Sequence, residues 1–97
     1  MDMSSEVELG RVVFSVAGHD KDRYYIVMKA EQNGYIYIAD GDVRKVSSPK
    51  KKRIKHVQIK GDIIEELRER MEQNKPILDH EIRKYLDEYN QNTHKEG

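Results

Sequence analysis

Residues 44–60 carry eight cations, Arg44, Lys45, Lys50, Lys51, Lys52, Arg53, Lys55 and Lys60, and no carboxylate. The run is embedded among Val and Ile residues that read as β-strand, so these charges are held near a folded surface. The whole chain has 18 basic and 18 acidic side chains. A local excess of this kind needs an opposite charge to meet, and the commonest polyanion in a cell is nucleic acid. Such binding takes its affinity mainly from phosphates, weakens steeply with salt and carries little sequence information. His56, next to Lys55, adds a further candidate phosphate ligand.

Upstream lie Tyr24, Tyr25, Tyr35 and Tyr37. Strand alternation places Tyr35 and Tyr37 on one face and Ile36 and Ile38 on the other. The isoleucines are the better core residues, so the two tyrosines are expected to face outward, where an unpaired base can stack on them. The competing expectation is that they pack against the rim of a small domain or against appended helices. Lys21 and Arg23 flank a turn that also holds Asp20 and Asp22, a mixture of signs typical of a solvated hairpin. The candidate RNA-contacting residues are therefore Lys21, Arg23, Tyr37, Arg44, Lys45, Lys50, Lys51, Lys52, Arg53, Lys55 and His56.

Other chemistry has little to stand on. His19, His56, His80 and His94 are far apart and show no HxH or HxxxH spacing, and the chain has no cysteine. Glu65, Glu66, Glu69 and Glu72 alternate with Arg68 and Arg70 as on an ion-paired helix surface. There is no nucleophile elbow and no GxxxxGK loop. The expectation is a protein that is not an enzyme, with no catalytic residue, metal, cofactor or small-molecule substrate.

The neutral total conceals an asymmetry. Residues 1–60 hold 12 basic and 8 acidic side chains, whereas residues 61–97 hold 6 and 10. One part is suited to a polyanion and the other to solvent or a second partner. Charged residues make up 37% of the chain, against about 25% in ordinary domains, so the core must be small. The absence of any long apolar run, together with the acidic start Met1-Asp2-Met3-Ser4-Ser5-Glu6, leads to the expectation of a cytoplasmic protein without a membrane partner.

The elements that must position these residues change period along the chain. Arg11-Val12-Val13-Phe14-Ser15-Val16 and the run from Tyr24 to Ala30 read as two strands, and Asn33-Gly34 then predicts a type I′ hairpin into Tyr35-Ile36-Tyr37-Ile38-Ala39. Asp40-Gly41 is a second tight turn leading into a strand Val43-Arg44-Lys45-Val46. A basic loop follows, then a fifth strand, Ile54-Lys55-His56-Val57. Five short strands joined in this way predict a small antiparallel barrel. After Gly61 the period becomes helical: Ile63, Ile64, Leu67 and Met71 form one stripe, with Asp62 as the expected cap. Beyond Pro76, Asp79 is the expected cap of a helix with the stripe Ile82, Tyr85, Leu86 and Tyr89. The domain boundaries expected are a flexible tail at 1–8, the barrel at 9–60 and a helical extension at 61–97 that frays after Asn90.

The stretch from Gly10 to Val27, Gly10-Arg11-Val12-Val13-Phe14-Ser15-Val16-Ala17-Gly18-His19-Asp20-Lys21-Asp22-Arg23-Tyr24-Tyr25-Ile26-Val27, resembles a KOW motif. With Ile38-Ala39-Asp40-Gly41-Asp42-Val43-Arg44-Lys45-Val46, Pro49-Lys50-Lys51-Lys52 and Ile54-Lys55-His56-Val57, the chain resembles the bacterial KOW-domain RNA-binding proteins related to eukaryotic-type large-subunit ribosomal protein fourteen. The segment Asp79-His80-Glu81-Ile82-Arg83-Lys84 looks like the helical tail of those proteins. The resemblance implies a mainly β, five-stranded SH3-like barrel with two C-terminal helices. It also implies a ribosome-associated or ribosomal-protein-like factor of translation that binds ribosomal RNA. Where KOW units carry glycines after the loop lysine, this chain has Asp22 and Tyr25, and a carboxylate there repels phosphate. The expected contact therefore shifts to residues 44–55.

Two alternatives accompany this reading. SH3-like barrels also serve as protein-interaction modules in translation or transcription elongation. The helical tail either covers the barrel and enlarges its core or offers its apolar stripe to a partner such as a ribosomal protein.

Overall fold

A computed structural model describes residues 7–96, with side chains as far as Asn90. Five antiparallel strands are followed by two helices: β1 (Arg11–Ser15), β2 (Tyr24–Ala30), β3 (Tyr35–Ala39), β4 (Lys50–Arg53), β5 (Val57–Ile63), α1 (Glu65–Glu72) and α2 (Asp79–Glu96). The strands form one sheet in the order β4-β3-β2-β1-β5, so β5 returns across the structure to pair with β1, and β4 and β5 lie at the edges.

Consecutive residues are buried in the central strands because both faces of the sheet are covered. Val13, Tyr25, Val27, Ile36 and Ile38 build one core with Val7, and Leu9, Ile54 and Val57 pack against it. Val12 and Ile26, directly opposite each other in register, belong to the other core with Leu67, Ile77, Ile82 and Leu86. Each of these fully buried aliphatic side chains is worth roughly 1.5–3 kcal/mol relative to exposure. Val7 in the first core shows that the fold begins before Leu9. The rest of the expected flexible tail, residues 1–6, lies outside the described residues.

The hairpin between β2 and β3 is as expected, but its turn type differs. Gly34 has φ +89°, whereas Asn33 is not in the positive region, and the Glu31 N–H donates to Tyr35 O at 2.9 Å. A three-residue connection closed by a left-handed glycine replaces the two-residue type I′ turn.

The larger corrections lie in the basic segment. Residues 43–46 are not a strand. Asp40 Oδ1 accepts from the N–H groups of Asp42 (2.9 Å) and Arg44 (2.8 Å), and the Val46 N–H donates to Asp79 Oδ1 at 2.7 Å. These donors are taken by side chains, which removes them from any ladder. The expected basic loop is instead β4, paired with β3 through Tyr35↔Arg53, Ile36↔Lys52, Tyr37↔Lys51 and Ile38↔Lys50. Residues 54–56 form a single 3₁₀ turn rather than a strand, and β5 starts only at Val57. Gly61 is therefore inside a strand and is not a boundary.

The helices also begin differently. Asp62 lies in β5, and the N-cap of α1 is Ile64, with no side-chain cap. Asp79 is the first residue of α2, and its carboxylate serves Val46 instead of its own helix. Glu81 reaches back to the Leu78 N–H, the reciprocal half of a capping box. Between the helices, Asn74 has φ +58°, the Lys75 N–H donates to Arg70 O at 2.8 Å, and the Asn74 N–H donates to Met71 O at 3.1 Å. This is a Schellman stop, with Pro76 placed where a helix can no longer continue. The stripe of α2 is used within the chain: Ile82 and Leu86 are buried on the sheet, and the Tyr89 ring packs 5.5 Å from Tyr24. The backbone of α2 continues to Glu96. Among the described residues, no helix is long and apolar enough to cross a membrane.

Gly41 joins the 40–46 connection to α2. It has φ +77°, a Cβ there would stand 2.3 Å from Asp79 O, and its carbonyl accepts from Arg83 Nη1 at 2.6 Å. Gly34 has a similar φ but open space around it. Gly34→Ala is expected to cost about 1 kcal/mol, for the left-handed backbone alone. Gly41→Ala is expected to cost at least about 2 kcal/mol more, because α2 must move. Urea denaturation of the two variants checks the difference.

Candidate nucleic-acid interface

The period of β4 divides its cations between two faces. Lys52 is opposite Ile36 and turns inward. Its side chain is 7% exposed, and its ammonium donates to Ala17 O and to Asp20 Oδ2, the latter at 3.3 Å. Asp20 is itself 4% exposed, and its other oxygen accepts from Arg44 Nε (3.1 Å) and Nη2 (2.8 Å). One buried carboxylate thus holds two of the cations expected to meet RNA. Burial pushes the Asp20 carboxyl up, but the hydrogen bonds from Arg44 and Lys52 outweigh it and hold the pKa below the ordinary value. Tyr25 completes the cluster by donating its hydroxyl to Asp20 O at 3.2 Å, and burial raises its pKa to about 12, so it stays protonated.

This cluster fixes the turn after β1. Lys52 sits 3.0 Å from where a Cβ of Gly18 would be, and Asp22 adopts φ +69°, a left-handed backbone that favours glycine. Lys21 and Arg23 are exposed, and Arg23 is 4.0 Å from Asp42. Lys45 is exposed in the connection before β4, and Lys50 is half-buried on the same side of β4 as Lys52. His56 is half-buried in the 3₁₀ turn, where its carbonyl accepts from the Val16 N–H at 3.0 Å.

The opposite face of β4 meets solvent beside the two tyrosines. Lys51 Nζ lies 4.6 Å from the centroid of the Tyr35 ring, and the Arg53 guanidinium lies 5.3 Å from it. Lys29, opposite Tyr37 on β2, lies 5.6 Å from the Tyr37 ring. The helices cover the β1–β2 part of this face and leave the β3–β4 part open. Tyr35 and Tyr37 are thus outward, each only half-covered.

The patch has two unlike ends. At the Tyr37 end the phenol donates to Glu31 Oε2 at 2.9 Å, and Lys51 lies 3.8 Å from the same carboxylate group. That hydrogen bond raises the pKa of Tyr37, and Glu31 cancels part of the local positive charge. At the Tyr35 end, Arg53 and the exposed Lys55 form no ion pair with a described carboxylate. There a cleft of about 320 Å³ is lined by Asn33, Gly34, Tyr35, Arg53, Ile54 and Lys55.

Of the eleven candidates, Lys51, Arg53 and Lys55 gather at the open end of the sheet with Tyr37 beside them. Arg44 and Lys52 are joined in an ion cluster, and Lys21, Arg23, Lys45, Lys50 and His56 lie elsewhere. Lys52 is a correction: its ammonium is buried and fully engaged, so it is a structural residue. Tyr35, expected to face outward though not counted among the eleven, completes the patch with Asn33, Ile54 and Lys29, which were not singled out. The alternation of Tyr35 with Tyr37 was a usable signal for the first. The others required knowing that residues 50–53 pair with β3. Among the described residues, no group of three or more His, Asp and Glu is placed to hold a metal ion.

Comparison with known proteins assigns no family: no family model matches the chain, and no curated protein matches it.

Asp20→Asn leaves Lys52 buried without its counter-charge and is expected to cost about 3–5 kcal/mol. The depressed Asp20 pKa stabilises the fold above the ordinary carboxyl value of 3.8, and this contribution is lost as pH falls through the lower folded value. Acid unfolding monitored by circular dichroism is expected to be less steep below that pH in Asp20→Asn than in the parent.

Proposed function

We propose that the protein is an RNA-binding module of the SH3-like type that docks on the phosphate backbone through the open β3–β4 face. The observation that carries this reading is the convergence of Lys51, Arg53, Lys55 and Lys29 around two outward tyrosines on a rigid sheet. The SH3-like assignment is supported by the strand order, in which β5 pairs with β1 after a meander of four strands.

Lys29 on β2 and Lys51 and Arg53 on β4 flank the tyrosines of β3, with Lys55 in the adjoining 3₁₀ turn, so the charge array is built on ordered backbone. Little conformational entropy is then lost on binding. Arg53 can grip a phosphate with two donors, whereas the lysines act as point charges. The acidic helices lie on the part of the sheet away from this end and keep the rest of the surface from attracting nucleic acid. The resemblance to bacterial KOW-domain proteins makes ribosomal RNA the first RNA to test, and a ribosome-associated role is the cellular form of the proposal.

The test leaves Lys52 untouched, because a carboxylate beside Asp20 would unfold the domain and imitate a loss of binding. The variant Lys51→Glu/Arg53→Glu/Lys55→Glu is expected to abolish filter binding to ribosomal RNA with its thermal midpoint nearly unchanged. For the parent, three phosphate contacts give a slope of about −2 in log K against log salt, or steeper if Lys45 and Lys50 also engage. Undiminished affinity in the triple variant refutes the proposal.

A further inference from the structure

We infer that the cleft beside Tyr35 receives a single unpaired nucleobase, so that the protein recognises single-stranded or looped RNA over duplex. This rests on the RNA-binding reading above and names the form of RNA that it takes.

The cleft is placed where the β2–β3 turn meets the 3₁₀ turn, the two being tied by a hydrogen bond from the Ile54 N–H to Gly34 O at 2.9 Å. Tyr35 and Ile54 bring apolar surface to its lining. Asn33, with both a donor and an acceptor, lines it as well. The space over Gly34 is empty: a Cβ there meets nothing within 4 Å. The volume of about 320 Å³ is at the small end of ligand sites, which is suited to one flat group and too small for a folded peptide segment. Arg53 and Lys55 line it and no carboxylate does, so whatever enters is accompanied by negative charge. An aromatic ring, an amide and two cations in one lining together match a base carrying its phosphates.

Tyr35 now has Lys51 and Arg53 against its ring. A base entering the cleft displaces a cation from the ring toward the phosphates. Releasing an exposed cation–π contact weakens binding by roughly 2- to 5-fold. Stacking a base strengthens it by roughly 5- to 150-fold, so the exchange favours the base. The Tyr37 ring does not line this cleft.

The bases of a duplex are stacked on one another and cannot enter. Fluorescence anisotropy with an oligoadenylate RNA and with an RNA duplex of equal length is expected to show preference for the single strand. Tyr35→Leu is expected to lower single-strand affinity roughly 10-fold while leaving duplex affinity unchanged, and Tyr35→Phe to retain it. Amide shifts of Asn33, Gly34 and Lys55 on titration of the parent with oligoadenylate test the cleft without any variant. Equal single-strand affinity in Tyr35→Leu, or amide shifts confined to other segments, overturns the base site while leaving RNA binding in place. If neither RNA binds the parent, the RNA-binding reading itself fails.

Discussion

The bond on which the rest of the structure depends is the buried contact of Asp20 with Lys52 and Arg44. It ties three segments that the sheet alone would not hold together: the turn after β1, the connection before β4, and β4 itself. A carboxylate taken out of water costs several kcal/mol unless its charge is met, and here both oxygens are occupied. Replacing any member leaves the others exposed to that cost. The arrangement also settles which cations belong to the fold. Two are consumed in fixing the backbone, and Lys51 and Arg53, on the other side of β4, are left to face solvent.

That division follows from the geometry of an extended chain. Successive residues of a strand point to opposite faces, so four adjacent cations cannot form one ridge. Lys52 is drawn inward between apolar neighbours and accepts a buried partner. Lys51 and Arg53 are sent outward onto Tyr35. A cationic run therefore does two jobs at once, and its charge at the surface is smaller than its composition suggests. The same period explains why the tyrosines and the outward cations coincide: Tyr35 and Arg53, and likewise Tyr37 and Lys51, are opposite one another in the ladder.

Much of the scaffold was legible in the sequence. Val12-Val13, the run from Tyr24 to Ala30 and the alternation of Tyr35 to Ala39 gave three strands nearly to their ends. Ile82 and Leu86 announced a helix, and of the two uses open to its stripe the structure shows the one within the chain. The failures are concentrated between Gly41 and Asp62, where side chains rather than propensity decide the backbone. Asp40 and Asp79 take the N–H groups that a strand at 43–46 would have used, and neither contact can be read from spacing. Lys50–Arg53 reads as a loop because lysine is depleted in strands. The strand is held instead by its pairing with β3 and by partners for three of its side chains: Glu31 and the Tyr35 ring for Lys51, Asp20 and Ala17 for Lys52, and the Tyr35 ring for Arg53. The candidate site was legible in its chemistry, cations beside tyrosines, and illegible in its membership. Membership depends on register, which only the folded ladder supplies.

The position of β4 at the rim of the sheet has another consequence. Among the described residues its outer row of peptide groups has no neighbouring strand, and such a row is a template for joining sheets from different molecules. Laying a second copy of Lys-Lys-Lys-Arg alongside would set the like charges of two chains about 4.8 Å apart, with nothing between them but water. Mutual repulsion thus guards the sheet against growing into a fibre.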